Sequence, residues 1–139
     1  MSISKLVENF SRFDYNRIVD ECFSETKEVL FNLIRSQLAD GRKADGDMPD
    51  YQSVYYARKK GSQRVNLKLT GAFLNALILI QNKYSVRVRS SDKKSPKLLR
   101  TYGASVMELT PENYSNYVRN TILPLFQIKI KNELLSKNE

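Results

Sequence analysis

Histidine is absent from this chain of 139 residues, and cysteine occurs once, at Cys22. The first absence removes the commonest general base, the usual catalytic triads and most transition-metal sites. An enzyme would have to work with carboxylates, lysines or tyrosines. The lone cysteine excludes an internal disulfide and fits a reducing compartment. Long apolar runs are missing as well: the longest, Ala76 to Ile80, falls far short of the ~18–20 residues that a membrane span requires. The opening "MSISKLVENF" lacks the apolar core and cleavage site of a secretory signal, so none is expected.

What is present fits one soluble globular domain: 41% hydrophobic and 27% charged residues, in a chain long enough to bury roughly two-thirds of its unfolded surface. The net charge of +8 is unevenly spread. Residues 1–50 carry seven basic and ten acidic groups, residues 51–100 twelve basic and one acidic, and residues 101–139 four of each. The positive field therefore belongs to the middle third, which should face a negatively charged partner or form a solvated edge.

The N-terminal third, residues 1–41, has helical spacing. After a short first helix in "SKLVENFSRF", Asp14 can cap a second that runs to about Asp40 and stops at Gly41, roughly 40 Å at 1.5 Å per residue. Ile18, Cys22, Val29 and Leu33 make one stripe, with Phe23, Leu30, Ile34 and Leu38 beside it. Residues 42–109 hold the polar loop "DGRKADGDMPD", a short helix "YQSVYYARKK", and a strand "RVNLKL" with Val65, Leu67 and Leu69 on one face. "NALILIQ" and "YSVRVRS" then form a β-hairpin joined at Asn82-Lys83, with Val86 and Val88 facing one way and Arg87 and Arg89 the other. "SPKLLRTYG" predicts a helix closed by Gly103, and "SVMEL" an extended segment. Residues 110–136 are a C-terminal helix: Thr110-Pro111-Glu112 supplies cap, first-turn proline and early acid, and Pro124 kinks or splits it. The expected class is α+β, a long N-terminal helix and a kinked C-terminal helix packed on a small antiparallel sheet that contains a β-hairpin.

Candidate chemistry is thin. The acids Asp40, Asp45, Asp47 and Asp50 miss the calcium-loop spacing and suit a solvated turn. "SETK" and "SISK" both match Ser-x-x-Lys by chance, without the accompanying elements of penicillin-recognising enzymes. Cys22 lies on the apolar stripe and is expected to be a buried structural thiol. Thr70-Gly71 lacks the further glycines and the lysine of a phosphate loop, and a glycine after a strand more simply supplies an unusual backbone angle. No catalytic residue, cofactor site or metal site is expected. The basic residues Arg58, Lys59, Lys60, Arg64, Arg87, Arg89, Lys93, Lys94 and Lys97, with Tyr51, Tyr55 and Tyr56 nearby, are candidates for contact with a polyanion or with an acidic protein surface.

Taken in order, "SQLADGRKADGDMPDYQSVYYARKKGSQRVNLKLTGAFLNAL", "VRVRSSDKK", "LLRTYG" and "MELTPENY" resemble a group of small tailed-phage morphogenesis proteins, over about residues 33 to 125. They are more distantly similar to the tail-completion and virion-morphogenesis proteins of other tailed phages, such as the Mu-type family. Thr70-Gly71-Ala72-Phe73 matches that pattern's Leu-x-x-Thr-Gly element, and Leu109-Thr110-Pro111-Glu112 its late helix start. The resemblance implies a non-enzymatic virion subunit: a homo-oligomeric ring in the neck or tail, joined to portal-side and tail proteins, with no membrane partner. Such a subunit is made in the bacterial host cytoplasm. A ring needs two unlike faces on each subunit, with the two long helices as candidates for one and the hairpin for the other. The basic middle segment would line the DNA passage or dock on an acidic neighbour. The alternative is a small basic nucleic-acid-binding protein that acts in the infected cell.

Overall fold

A computed structural model describes residues 3–5, 8, 14–51, 53–60, 65, 71–82 and 85–136. The expected short first helix falls largely outside these residues. Helix α1 (Tyr15–Glu25) starts where the Asp14 carboxylate accepts the Arg17 N–H at 3.1 Å, as the sequence predicts. Helix α2 (Lys27–Ala39) follows after a single interruption at Thr26 and ends at Asp40 and Gly41, the latter at φ 73°. At the interruption the Thr26 hydroxyl donates to the Cys22 carbonyl at 2.7 Å. Having one proton, it must accept from the Tyr117 hydroxyl, also at 2.7 Å.

The buried row of these two helices is Ile18, Cys22, Leu30, Ile34 and Leu38. Steps of four turn the face by about 40° each on a 3.6-residue helix, so the row winds around the axis and meets different neighbours. Val29, expected on the stripe, is 43% exposed, and Phe31 is buried in its place.

The loop at 40–50 is structured. Strands β1 (Arg42–Lys43) and β2 (Gly46–Asp47) pair antiparallel, with Arg42 opposite Asp47 and Lys43 opposite Gly46. The Met48 N–H returns to the Gly41 carbonyl at 2.7 Å, and the Met48 side chain joins the core. Helix α3 (Val54–Lys60) forms as expected. Of the anticipated strand over residues 64–69, only Val65 is described; it is buried, and its N–H donates to the Pro49 carbonyl.

Gly71 is followed by a four-residue helix, α4 (Ala72–Asn75), so the first hairpin strand starts at Leu77 and not at Asn75. Phe73 and Leu74 are both buried, and adjacent residues of a strand would point to opposite faces. Strands β3 (Leu77–Asn82) and β4 (Ser85–Ser90) then pair antiparallel, Leu79 opposite Val88 and Ile80 opposite Arg87. Asn82 is the last residue of β3, so the connection lies at 83–84, outside the described residues.

Helix α5 (Ser95–Tyr102) is closed by Gly103 at φ 88°, whose N–H bonds to the Leu99 carbonyl at 2.8 Å. "SVMEL" is not extended: Ala104–Met107 is a 3-10 turn, which lets the neighbours Val106 and Met107 both reach the core. Thr110 caps helix α6 (Pro111–Tyr117), its hydroxyl accepting the Asn113 N–H at 3.3 Å. The chain continues through a π-helical stretch, Val118–Ile122, into helix α7 (Leu123–Ser136). Pro124 accounts for the widening. It has no N–H, and its ring would press on the Asn120 carbonyl one turn back, which a single π turn relieves.

The result is an α+β domain with two small antiparallel sheets and a long bent C-terminal helix. Its core runs between α1–α2, α7, the hairpin and the 3-10 turn, with Ile18, Cys22, Ile34, Leu38 and Val106 fully enclosed. Buried Gln37 ties it together: its amide donates to the Glu108 carbonyl at 3.0 Å and accepts from the Thr110 N–H at 2.9 Å and the Asn113 side chain at 2.8 Å.

Candidate interaction faces

In the hairpin, paired residues share a face, so the register divides it in two. Leu77, Leu79 and Gln81, opposite Ser90, Val88 and Val86, face inward. Gln81 holds this side on α1, donating to the Asp20 carbonyl at 2.8 Å and accepting from the Ser24 hydroxyl at 3.0 Å. The outer face carries Ile78 opposite Arg89 and Ile80 opposite Arg87. Ile78 is 41% exposed, and both arginines are exposed. This confirms the expected split between the valines and the arginines.

The other basic candidates fall in three places. Lys93, Lys94 and Lys97 are exposed at the start of α5, which begins a few residues after β4. Neither these side chains nor those of Arg87 and Arg89 form an ion pair among the described residues. The position of the lysines is electrostatically unfavourable for the helix itself, since its N-terminal dipole end is already positive. The single acid of the region, Asp92, stands at that end and accepts the Lys94 N–H at 3.1 Å. Arg58 and Lys59 are exposed on α3, which has no extensive contact with β4 or α5 among the described residues, and Lys60 ends the same helix. Arg64 and Thr70 lie outside the described residues.

Gly71 takes φ 77° and ψ −12°, the left-handed region, and its carbonyl accepts the Asn75 N–H at 2.9 Å. It starts a helical turn that redirects the chain into β3. Of the acids at 40–50, Asp45 is engaged locally: the Ser105 hydroxyl, and then Lys43, hold its carboxyl below the usual range. No group of three metal-ligating side chains occurs among the described residues.

Sequence reasoning passed over the acidic side of α1. Asp14, Asn16, Arg17, Asp20, Glu21, Ser24 and Glu25 line an open groove of about 650 Å³. Arg17 bonds Glu21 at 2.7 Å and also Glu133 of α7, while Lys129 of α7 reaches Glu25 at 2.7 Å and Glu21 at 3.4 Å. Five carboxylates here meet two cations, and the Asp20 carboxylate forms no ion pair among the described residues. Arg17 lowers the Glu21 pKa and Glu25 raises that of Lys129, in each case through a direct hydrogen bond. The four-residue spacing of Arg17, Glu21 and Glu25 was the available signal, because it puts them on one side of a helix.

No family model, curated protein or solved structure matches this chain. Its function is therefore inferred from these faces and from the ordered motifs. Leu123, Ile128 and Leu135 of α7 are also exposed.

Proposed function

We propose that this chain is a structural subunit of a tailed-phage virion, a ring-forming tail-completion or head–tail connector protein between portal-side proteins and the tail. The observation that carries this reading is the hairpin's outer face. Two isoleucines set among arginines that form no ion pair among the described residues make a surface suited to burial against another protein, because apolar area gains free energy only when removed from water. The ordered motifs around Gly71 and Thr110 supply the resemblance to phage morphogenesis proteins. The lysines at the start of α5 favour a second reading, a nucleic-acid-binding protein of the infected cell, since they gather positive charge and form no ion pair among the described residues.

Quantitative mass spectrometry of purified particles distinguishes the two. A ring subunit is present in intact virions at a fixed small copy number, and loss of its gene leaves heads and tails unjoined. A protein abundant in infected cells but missing from particles would overturn the structural reading and favour the second.

A further inference from the structure

Among the described residues, two unlike charged faces of this chain have no internal partner for their excess charge. One is the outer side of the hairpin, with Ile78 and Ile80 beside the unpaired Arg87 and Arg89. The other is the groove along α1, where carboxylates outnumber cations and Asp20 is unpaired. We infer that the outer hairpin face of one copy docks into the α1 groove of a second copy, head to tail. This deepens, and rests on, the ring reading above.

The molecule cannot satisfy both faces by itself. Gln81 presses the inner side of the same hairpin onto Asp20 and Ser24, two residues of the groove. Arg87 and Arg89, on the opposite side of that sheet, therefore point away from their own groove. Only another molecule brings the two surfaces together. Nucleic acid is the poorer occupant of the hairpin face, because phosphates would leave the isoleucines wet. A protein groove rimmed with carboxylates both neutralises the arginines and covers the apolar atoms between them. Unlike faces that meet head to tail extend into a closed ring when the rotation per subunit allows it. The hairpin face is about 20 Å long, six residues at roughly 3.3 Å each, which is small for a specific interface. Closure gives every subunit two such contacts and makes the ring far more stable than an isolated pair.

Charge exchange tests this directly, with native mass spectrometry and light scattering as readouts. The full-length wild type is expected to form one defined oligomer. Arg87→Glu/Arg89→Glu and Asn16→Lys/Asp20→Lys alter side chains that form no ion pair among the described residues, so each variant should fold, the second with a slightly lowered Tm because a cation at position 16 meets the positive end of α1, yet remain monomeric. Mixing the two should restore the oligomer, and so should one chain carrying all four changes, since the new lysines at positions 16 and 20 then face the new glutamates at 87 and 89 across a groove that has lost its net negative charge. A mixture that stays monomeric, a single variant that assembles like wild type, or a wild type monomeric at millimolar concentration would each overturn the inference. Failure of the ring reading shows elsewhere, as absence from purified particles. An oligomer insensitive to all four substitutions would remove this interface while leaving a ring built through other surfaces.

Discussion

A Cβ at position 71 would sit 3.3 Å from the Asn75 amide nitrogen, on a backbone at φ 77° that L side chains rarely adopt. Gly71→Val should therefore cost about 1–2 kcal/mol, because a β-branched side chain suffers most in the left-handed region. Thermal or urea unfolding measures this, and a variant with wild-type Tm would mean that the position carries no conformational demand. Gln37 makes a different kind of demand. Gln37→Leu leaves the Glu108 carbonyl, the Thr110 N–H and the Asn113 amide short of a partner, an expected loss of about 1–3 kcal/mol. Its unfolding midpoint should fall well below that of an exposed control such as Gln127→Leu. Sequence patterning made the inward side of Val88 and the outward side of Arg87 and Arg89 legible, since alternation in a strand is a local property. Gln37 was not legible: a polar residue on a helix reads as solvent-facing until the partners some 70 residues away are known.

Elements announced by their ends were read well. The Asp14 cap, Gly103 after α5 and Thr110-Pro111 before α6 each serve a local backbone need that has few chemical solutions. Elements defined by what they bury were read less well. Phe73 with Leu74, and Val106 with Met107, are adjacent buried pairs that neither a strand nor its alternation accommodates. The winding of the buried row along α1 and α2 depends likewise on the neighbours, with α7 against α1 and β1 and the 3-10 turn against α2. The α1–α7 contact carries its own pH prediction. The Glu21 carboxyl is depressed, first by Arg17 of its own helix and less by Lys129 of α7, so its contribution is present above the unfolded carboxylate value of about 4.3 and is lost as pH falls through the folded one. Lys129 is raised, so its contribution is complete below about 10.4 and is lost as pH climbs through the folded value. Amide exchange in α7, corrected for the intrinsic rate, should quicken at both extremes relative to neutral pH. Lys129→Met should flatten the alkaline limb, and an unchanged limb would assign the stability of α7 to packing alone.

The whole molecule is electrically lopsided, negative along α1 and positive from β4 into α5. Duplex DNA should bind the free protein only weakly and without sequence preference, fading steeply between about 50 and 200 mM salt as counterion release loses its drive. Replacing Lys93, Lys94 and Lys97 by Glu should abolish that binding without lowering Tm, because negative charge suits the N-terminus of α5 better than positive charge does. Sub-micromolar binding that tolerates physiological salt, lost in the triple variant, would favour the nucleic-acid reading over the structural one. The charge asymmetry along the chain was legible from the sequence, but its balance on α1 was not, because Lys129 neutralises Glu21 and Glu25, and Glu133 competes for Arg17, from more than 100 residues away.

The pairing of α1 with α7 also sets a timetable for biosynthesis. Ile18 and Cys22 belong to a cluster on which Leu125, Phe126 and Ile130 of α7 pack, so their cover is synthesised about a hundred residues later. At roughly 5–20 residues per second that is an interval of roughly 5–20 s in which α1 has left the ribosome before its α7 cover is made. During that interval the Cys22 thiol is open to alkylation and the young helix to chaperones. Once α7 lands, the same thiol is sealed, with burial raising its pKa. Pulse-labelling of nascent and released chains with a thiol reagent would read that closing moment as a clock.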